Sequence, residues 1–143
     1  MTSIDDSTTN LQFIKLAIKK IDQDTKLLCL PENSLFLNLG KDPIPKKAAF
    51  TKDSKEIVTL SQLAKENNLW IHLGGIPWLI DDEVYNEALL INDKGEIQET
   101  YEKLHLFDVN LGPGIEVTES KSYKKGKRTS VFEIEGWKFA TTI

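Results

Sequence analysis

The sequence predicts a mixed α/β fold, one sheet covered by helices, and three observations carry the prediction. Helical and extended patterns alternate through the first half of the chain, hairpin patterns fill the second half, and the composition suits a single core. The chain has 143 residues, of which 40% are hydrophobic. That is enough for one core and too little for two ordinary domains.

The first helix is predicted from Leu11, Ile14, Ile18 and Ile21, spaced three and four apart, with Phe13 and Ala17 widening the stripe. Asp5, Asp6 and Ser7 precede it as candidate N-caps suited to the positive end of the helix dipole. Lys26-Leu27-Leu28-Cys29-Leu30 then reads as a buried strand that Pro31 stops. Glu32 follows at the point where that strand leaves the core. An acid pinned between two apolar segments is either a surface turn or a placed catalytic group. The loop "NLGKDPIPKKAAFTKDS" has little periodicity. A second amphipathic helix is marked by Ile57, Leu60, Leu63 and Ala64 and ends near Asn67-Asn68.

Strands account for the rest. Leu69–Ile76 is extended and ends on the glycine pair Gly74-Gly75, which is expected to turn. Val84–Ile91 and Glu96–Lys103 flank "NDKG", a good hairpin loop. A second hairpin is predicted in "TSVFEIEGWKFATTI", with Glu135-Gly136 at the bend.

Composition excludes several functions. A net charge of −4 provides no global basic field for nucleic acid or an anionic membrane. One cysteine rules out an internal disulfide and any cysteine-rich zinc site, which fits a reducing cytoplasm. His72 and His105 have no short metal-ligand spacing between them. The N-terminus is polar and acidic, unlike a signal peptide, and no apolar run approaches a membrane span. A cytoplasmic protein is expected.

Other features have plain explanations. Gly74-Gly75 and Gly112-Pro113-Gly114 lack the spacing of phosphate-binding loops. Lys121–Arg128 carries five positive charges and is expected to be a solvated, mobile loop. His72, between Ile71 and Leu73, is expected to be a hydrogen-bonded structural histidine. Asp81-Asp82-Glu83 lacks the spacing of a calcium loop. Lys103 and His105 fall on one side of an extended segment if that strand continues. Glu32 and Lys103 are far apart in the chain, and spacing alone does not bring them together.

The segments "LLCLPENSLF", "GGIPW", "YNEALLINDKGEIQETYEKLHLFDV" and "ESKSYKKG" resemble, in order and spacing, the nitrilase or carbon–nitrogen hydrolase superfamily. The resemblance runs the length of the chain. Its "YEKLHLFDV" with a following "ES" is most similar to the branch of deaminated glutathione amidase and ω-amidase. It implies a nitrilase-type αββα sandwich, with residues 1–143 as a partial carbon–nitrogen hydrolase domain lacking the first strand and the C-terminal half. The implied function is hydrolysis of a linear carboxamide to an acid and ammonia through a cysteine thioester.

The implied roles are Glu32 as general base, Lys103 as oxyanion stabiliser and Glu119 as a substrate-positioning residue, with no metal or organic cofactor. Such a Glu–Lys–Cys site suits amide chemistry, because a thiol attacks, a carboxylate moves the proton and an ammonium holds the oxyanion. The family's cysteine would follow Ile143, so the 143-residue chain alone is expected to be inactive. Cys29 lies within the apolar run and is expected to be a shielded small hydrophobe. The implied partner is a small amide, and the parent would be a homo-oligomer. The competing class is a non-catalytic binding or scaffold module of the same fold.

Overall fold

The structure is a computed structural model; it describes residues 2–40, 42–113, 116–127 and 129–143, with the side chains at 98–100 left aside. Helix α1 (Ser7–Ile18) precedes strand β1 (Leu27–Leu30), and helix α2 (Lys55–Glu66) precedes β2 (Trp70–Ile80). Then come β3 (Glu83–Ile91), β4 (Ile97–Glu102) and three short pieces, β5 (Asp108–Asn110), β6 (Glu116–Thr118) and a 3-10 turn over Glu119–Lys121. The hairpin of β7 (Val131–Ile134) and β8 (Trp137–Ala140) closes the chain.

The main sheet has the order β1-β2-β3-β4, with β1 parallel to β2 and the other pairs antiparallel. A parallel pair needs a covering crossover, and α2 provides it. Both helices lie on one face. Leu11, Ile14 and Ile18 of α1 and Ile57, Leu60 and Ala64 of α2 pack in one cluster with Ile71, Leu73, Leu89 and Ile91. Alternation sends the intervening side chains to the other face. There Leu27, Trp70 and Leu90 meet Phe132, Ile134 and Phe139 of the terminal hairpin. The layers are helices, sheet and hairpin.

Local chemistry sets the element ends. Asp6 caps α1, its carboxylate accepting from the Thr9 amide at 3.1 Å, and that bond holds the carboxyl below its ordinary pKa. The predicted stripe of α1 is narrower than expected: Phe13 and Ala17 point outward, and the buried fourth member is Asn10. Asn10 is tolerated inside because Nδ2 donates to the Ile4 and Leu35 carbonyls at 2.7 and 3.0 Å. Glu135 and Gly136 both have positive φ, 52° and 80°, as a tight hairpin turn requires.

Several expectations are corrected. Gly74-Gly75 is no turn; β2 runs through it to Ile80, with a register shift between Leu73 and Ile76. Glycine is needed at 74 because a Cβ there would lie 2.6 Å from the Leu30 carbonyl oxygen and 2.8 Å from the Glu32 nitrogen. Cys29 is exposed rather than shielded. It sits on the edge strand, beside His72, on the face where the terminal hairpin covers Leu27, Trp70, Leu90 and His72. The described part of the Lys121–Arg128 loop, residues 121–127, is pinned more firmly than expected. Tyr123 is buried with Ile44 and Val84, the Lys124 amide donates to the Val84 carbonyl at 2.8 Å, and Gly126 is packed against Glu102. Arg128 and Gly114 lie outside the described residues. No helix among the described residues is long and apolar enough to cross a membrane.

Candidate active site

Glu32 is placed by the end of β1 and the bulge of β2 together. Pro31 has no amide proton to continue the ladder, so the chain turns. The Asn33 amide then donates to the Gly75 carbonyl at 2.9 Å, with Asn33 in the left-handed region at φ 60°. Lys103 sits one residue beyond β4. Its amide still bonds the Asn86 carbonyl of β3 at 2.8 Å, and its own carbonyl accepts from Gly126. Glu119 opens the 3-10 turn after β6.

These three residues meet. Lys103 Nζ lies 2.9 Å from Glu32 Oε1 and 3.1 Å from Glu119 Oε1. The Phe107 amide donates to Glu119 Oε2 at 2.6 Å, tying the second carboxylate to the β4–β5 connection. Lys103 and Glu119 side chains are 10% and 13% exposed and Glu32 is 35%, so Glu32 is the member turned to solvent. His105 is exposed while Lys103 is buried, and β4 ends at Glu102, so the strand continuation on which a shared side depended does not occur.

Burial works to lower the Lys103 pKa, but hydrogen bonds and charges from Glu32 and Glu119 outweigh it and hold the ammonium above its ordinary value. Two carboxylates around one ammonium leave a net negative cluster. Nearby, burial first and then the charges of Glu119 and Glu32 push the Tyr123 phenol up, so it stays protonated.

The sequence reading missed one member. Asn86 Nδ2 donates to Glu32 Oε1 at 2.6 Å and to Glu119 Oε1 at 2.9 Å, with the residue 1% exposed. A lone asparagine in a strand carries no signal of its own; only its place in "YNEALLI", beside a motif lysine by strand pairing, could have marked it. The cluster borders an open cleft of about 1160 Å³ whose walls include Asn33, Ile44, Phe107, Glu116 and Tyr123.

Cys29 is not in that cleft. The groups packed beneath its exposed surface raise the thiol's pKa, which disfavours a thiolate. His72 keeps its structural role, with Nε2 at 3.3 Å from Thr141 Oγ1. Among the described residues, no group of three His, Cys, Asp or Glu is placed to hold a metal ion.

Comparison with known proteins puts this geometry in context. The carbon–nitrogen hydrolase family profile matches residues 2–143. The chain belongs to the carbon–nitrogen hydrolase family. It is 33% identical to the deaminated glutathione amidase of Dictyostelium discoideum over 135 residues, covering 88% of this chain and 46% of that protein. It is 32% identical to the omega-amidase NIT3 of Saccharomyces cerevisiae over 149 residues, covering 96% and 50%. Among solved structures, XC1258 of Xanthomonas campestris superposes with a TM-score of 0.80 at 20% identity, covering 99% of this chain and 49% of that one, which speaks to fold. Nit3 of Saccharomyces cerevisiae superposes with a TM-score of 0.71 at 27% identity, covering 98% and 51%. This carbon–nitrogen hydrolase chain thus has the mixed α/β fold of the nitrilase superfamily and spans about half the length of the relatives it matches.

Proposed function

We propose that residues 1–143 form part of an amidase that hydrolyses a linear carboxamide, of the deaminated glutathione or ω-amide kind, to an acid and ammonia. The observation that carries this reading is the convergence of Glu32, Lys103 and Glu119 on one cleft. A thiol attacks the amide carbonyl while Glu32 takes its proton. The carbonyl oxygen becomes an oxyanion held by Lys103. Lys103 Nζ lies 2.9 Å from Glu32 Oε1 and 3.0–3.1 Å from both Glu119 oxygens, and its positive charge and N–H donors face the cleft where the oxyanion forms. Glu32 returns the proton to the departing ammonia, leaving a thioester. It then activates the water that cleaves the thioester to the acid and regenerates the thiol. Glu119, fixed by Phe107, holds Lys103 and bounds the substrate position. Among the described residues nothing bonds Glu32 Oε2, so that oxygen is the one free to carry the proton.

The thiol is assigned to a cysteine that follows Ile143 in the full-length protein. Supporting this, Ile143 Cδ1 and Glu32 Cγ flank the same spot, 3.0 and 3.2 Å from where a Cβ on Gly75 would stand. The wider expectations of a cytoplasmic, homo-oligomeric enzyme without affinity for nucleic acid belong to this same reading. The test is to read the coding DNA past codon 143, express the full-length protein and measure ammonia released from small ω-amides. Hydrolysis is expected, and Glu32→Gln should lower kcat/KM by about 10²–10⁴-fold. The 143-residue chain should release no ammonia. Turnover by that chain, abolished by Cys29→Ser, would overturn the assignment. A full-length protein with no cysteine after Ile143 would favour a non-catalytic module.

A further inference from the structure

We infer that Asn86 is a positioning residue that holds the base, Glu32, in the cluster by donating both of its amide protons across the two carboxylates. The inference rests on the hydrolase reading for its purpose and on geometry for its content. Glu32 Oε1 and Glu119 Oε1 each accept from the same two donors, Asn86 Nδ2 and Lys103 Nζ, at 2.6 to 3.1 Å. The four atoms form a closed ring of alternating donors and acceptors.

The orientation of the Asn86 amide is fixed by chemistry. Both neighbours are carboxylate oxygens that only accept, so the NH₂ end must face them. That choice sends Oδ1 the other way, where it is buried without a hydrogen-bond partner. Such an orphaned acceptor is costly, and it is tolerated where the opposite end of the group makes strong bonds. Gly75 makes the space: a Cβ there would stand 2.6 Å from Oδ1.

The ring explains why Glu32 stays inside. Glu119 has an anchor of its own in the Phe107 amide, bonded to Oε2. Among the described residues Glu32 has no such backbone anchor, and it is the most exposed of the three. With Lys103 as its sole partner it would share one ammonium with a second carboxylate that repels it. Asn86 supplies the extra donor without a second positive charge. It also lies on β3, in the interior of the sheet, and its carbonyl takes the Lys103 amide, so one residue sets both the ammonium and the base.

The test begins with the unaltered chain. The two side-chain amide protons of Asn86 should exchange with solvent at least about tenfold more slowly than those of exposed Asn67, as read by NMR. In Asn86→Leu, which keeps the shape and removes the donors, exchange of the Lys103 ammonium protons should rise about tenfold as Glu32 swings out, with the backbone amide pattern of Ile71, Leu73 and Leu89 retained. Asn86 protons exchanging as fast as those of Asn67 would overturn the inference. So would a folded Asn86→Leu chain with unchanged Lys103 exchange, since a space-filling role survives that substitution. If Asn86→Leu does not fold, the measurement on the unaltered chain decides. In a full-length protein that hydrolyses amides, Asn86→Leu should lower kcat at least about tenfold with KM within about twofold. A loss confined to KM would count against it. Failure of the unaltered full-length protein to hydrolyse amides would sink the hydrolase reading alone, because the exchange measurements still decide on Asn86.

Discussion

Lys103 shows how a buried charge is kept. Removing it as Lys103→Met would leave Glu32 and Glu119 facing each other across the vacated ammonium. Breaking a buried ion pair costs about 3–5 kcal/mol, and the solvent access of Glu32 places this case near the lower end. Denaturant melts of the variant should therefore show a loss of about 3 kcal/mol, and a loss under 1 kcal/mol would mean the cluster is more solvated than its geometry implies. The two bulge glycines give a second comparison. Gly74→Ala meets backbone atoms of Leu30, Pro31 and Glu32, which cannot move aside singly. Gly75→Ala meets the Asn86 and Ile143 side chains as well as Glu32 Cγ, which can yield a little. Both substitutions overpack, at about 1–3 kcal/mol each, and Gly74→Ala is expected to be the worse. Equal melts, or the reverse order, would argue that β2 relaxes at the bulge.

The terminal hairpin depends on contacts that titrate. His72 stacks on Phe132 with ring centroids 6.4 Å apart, Phe132 stacks on Phe139 at 5.4 Å, and Thr141 meets the imidazole. Burial lowers the His72 pKa from its ordinary 6.5, so the neutral ring is the form the fold prefers. A depressed histidine contributes stability that is present above the unfolded value and lost as pH falls through the folded one. Melting temperature should accordingly drop on acidification below about pH 6.5, with hairpin amides of β7 and β8 losing exchange protection first. His72→Phe should flatten that acid limb. If the limb persists unchanged in His72→Phe, another group controls it. The helices carry no such dependence on His72, since they pack on the opposite face.

At the scale of the whole molecule, the chain shows more surface than its mass requires. A compact 16.2 kDa monomer is expected to expose about 7,500 Å², whereas this chain exposes 8840 Å². Part of the surplus is apolar: Val131 is 63% and Trp137 74% exposed on the terminal hairpin, and β1 and β4 are the outer strands of the main sheet among the described residues. The 143-residue chain by itself should therefore self-associate, with sedimentation coefficients rising between about 5 and 200 μM, and Val131→Lys with Trp137→Lys should suppress the rise. A sharp monomer over that range with a cooperative melt would contradict this.

What the sequence determined by itself is local. Pro31 ends β1 and leaves Glu32 at its tip, one of Asp5, Asp6 and Ser7 caps α1, and the turn residues at "NDKG" and Glu135-Gly136 set two hairpins, because each depends on backbone preferences of a few adjacent residues. The motif spacing also pointed to Glu32, Lys103 and Glu119 through family resemblance. Only the tertiary structure decided that these three meet, that Asn86 bridges them, that Gly74-Gly75 lies within a strand and that Cys29 is exposed on a sheet edge. The physical reason is that strand register and close backbone approach are set by pairing between residues distant in the chain. A pattern of hydrophobicity records which face a side chain takes, and it carries no record of what stands across from it.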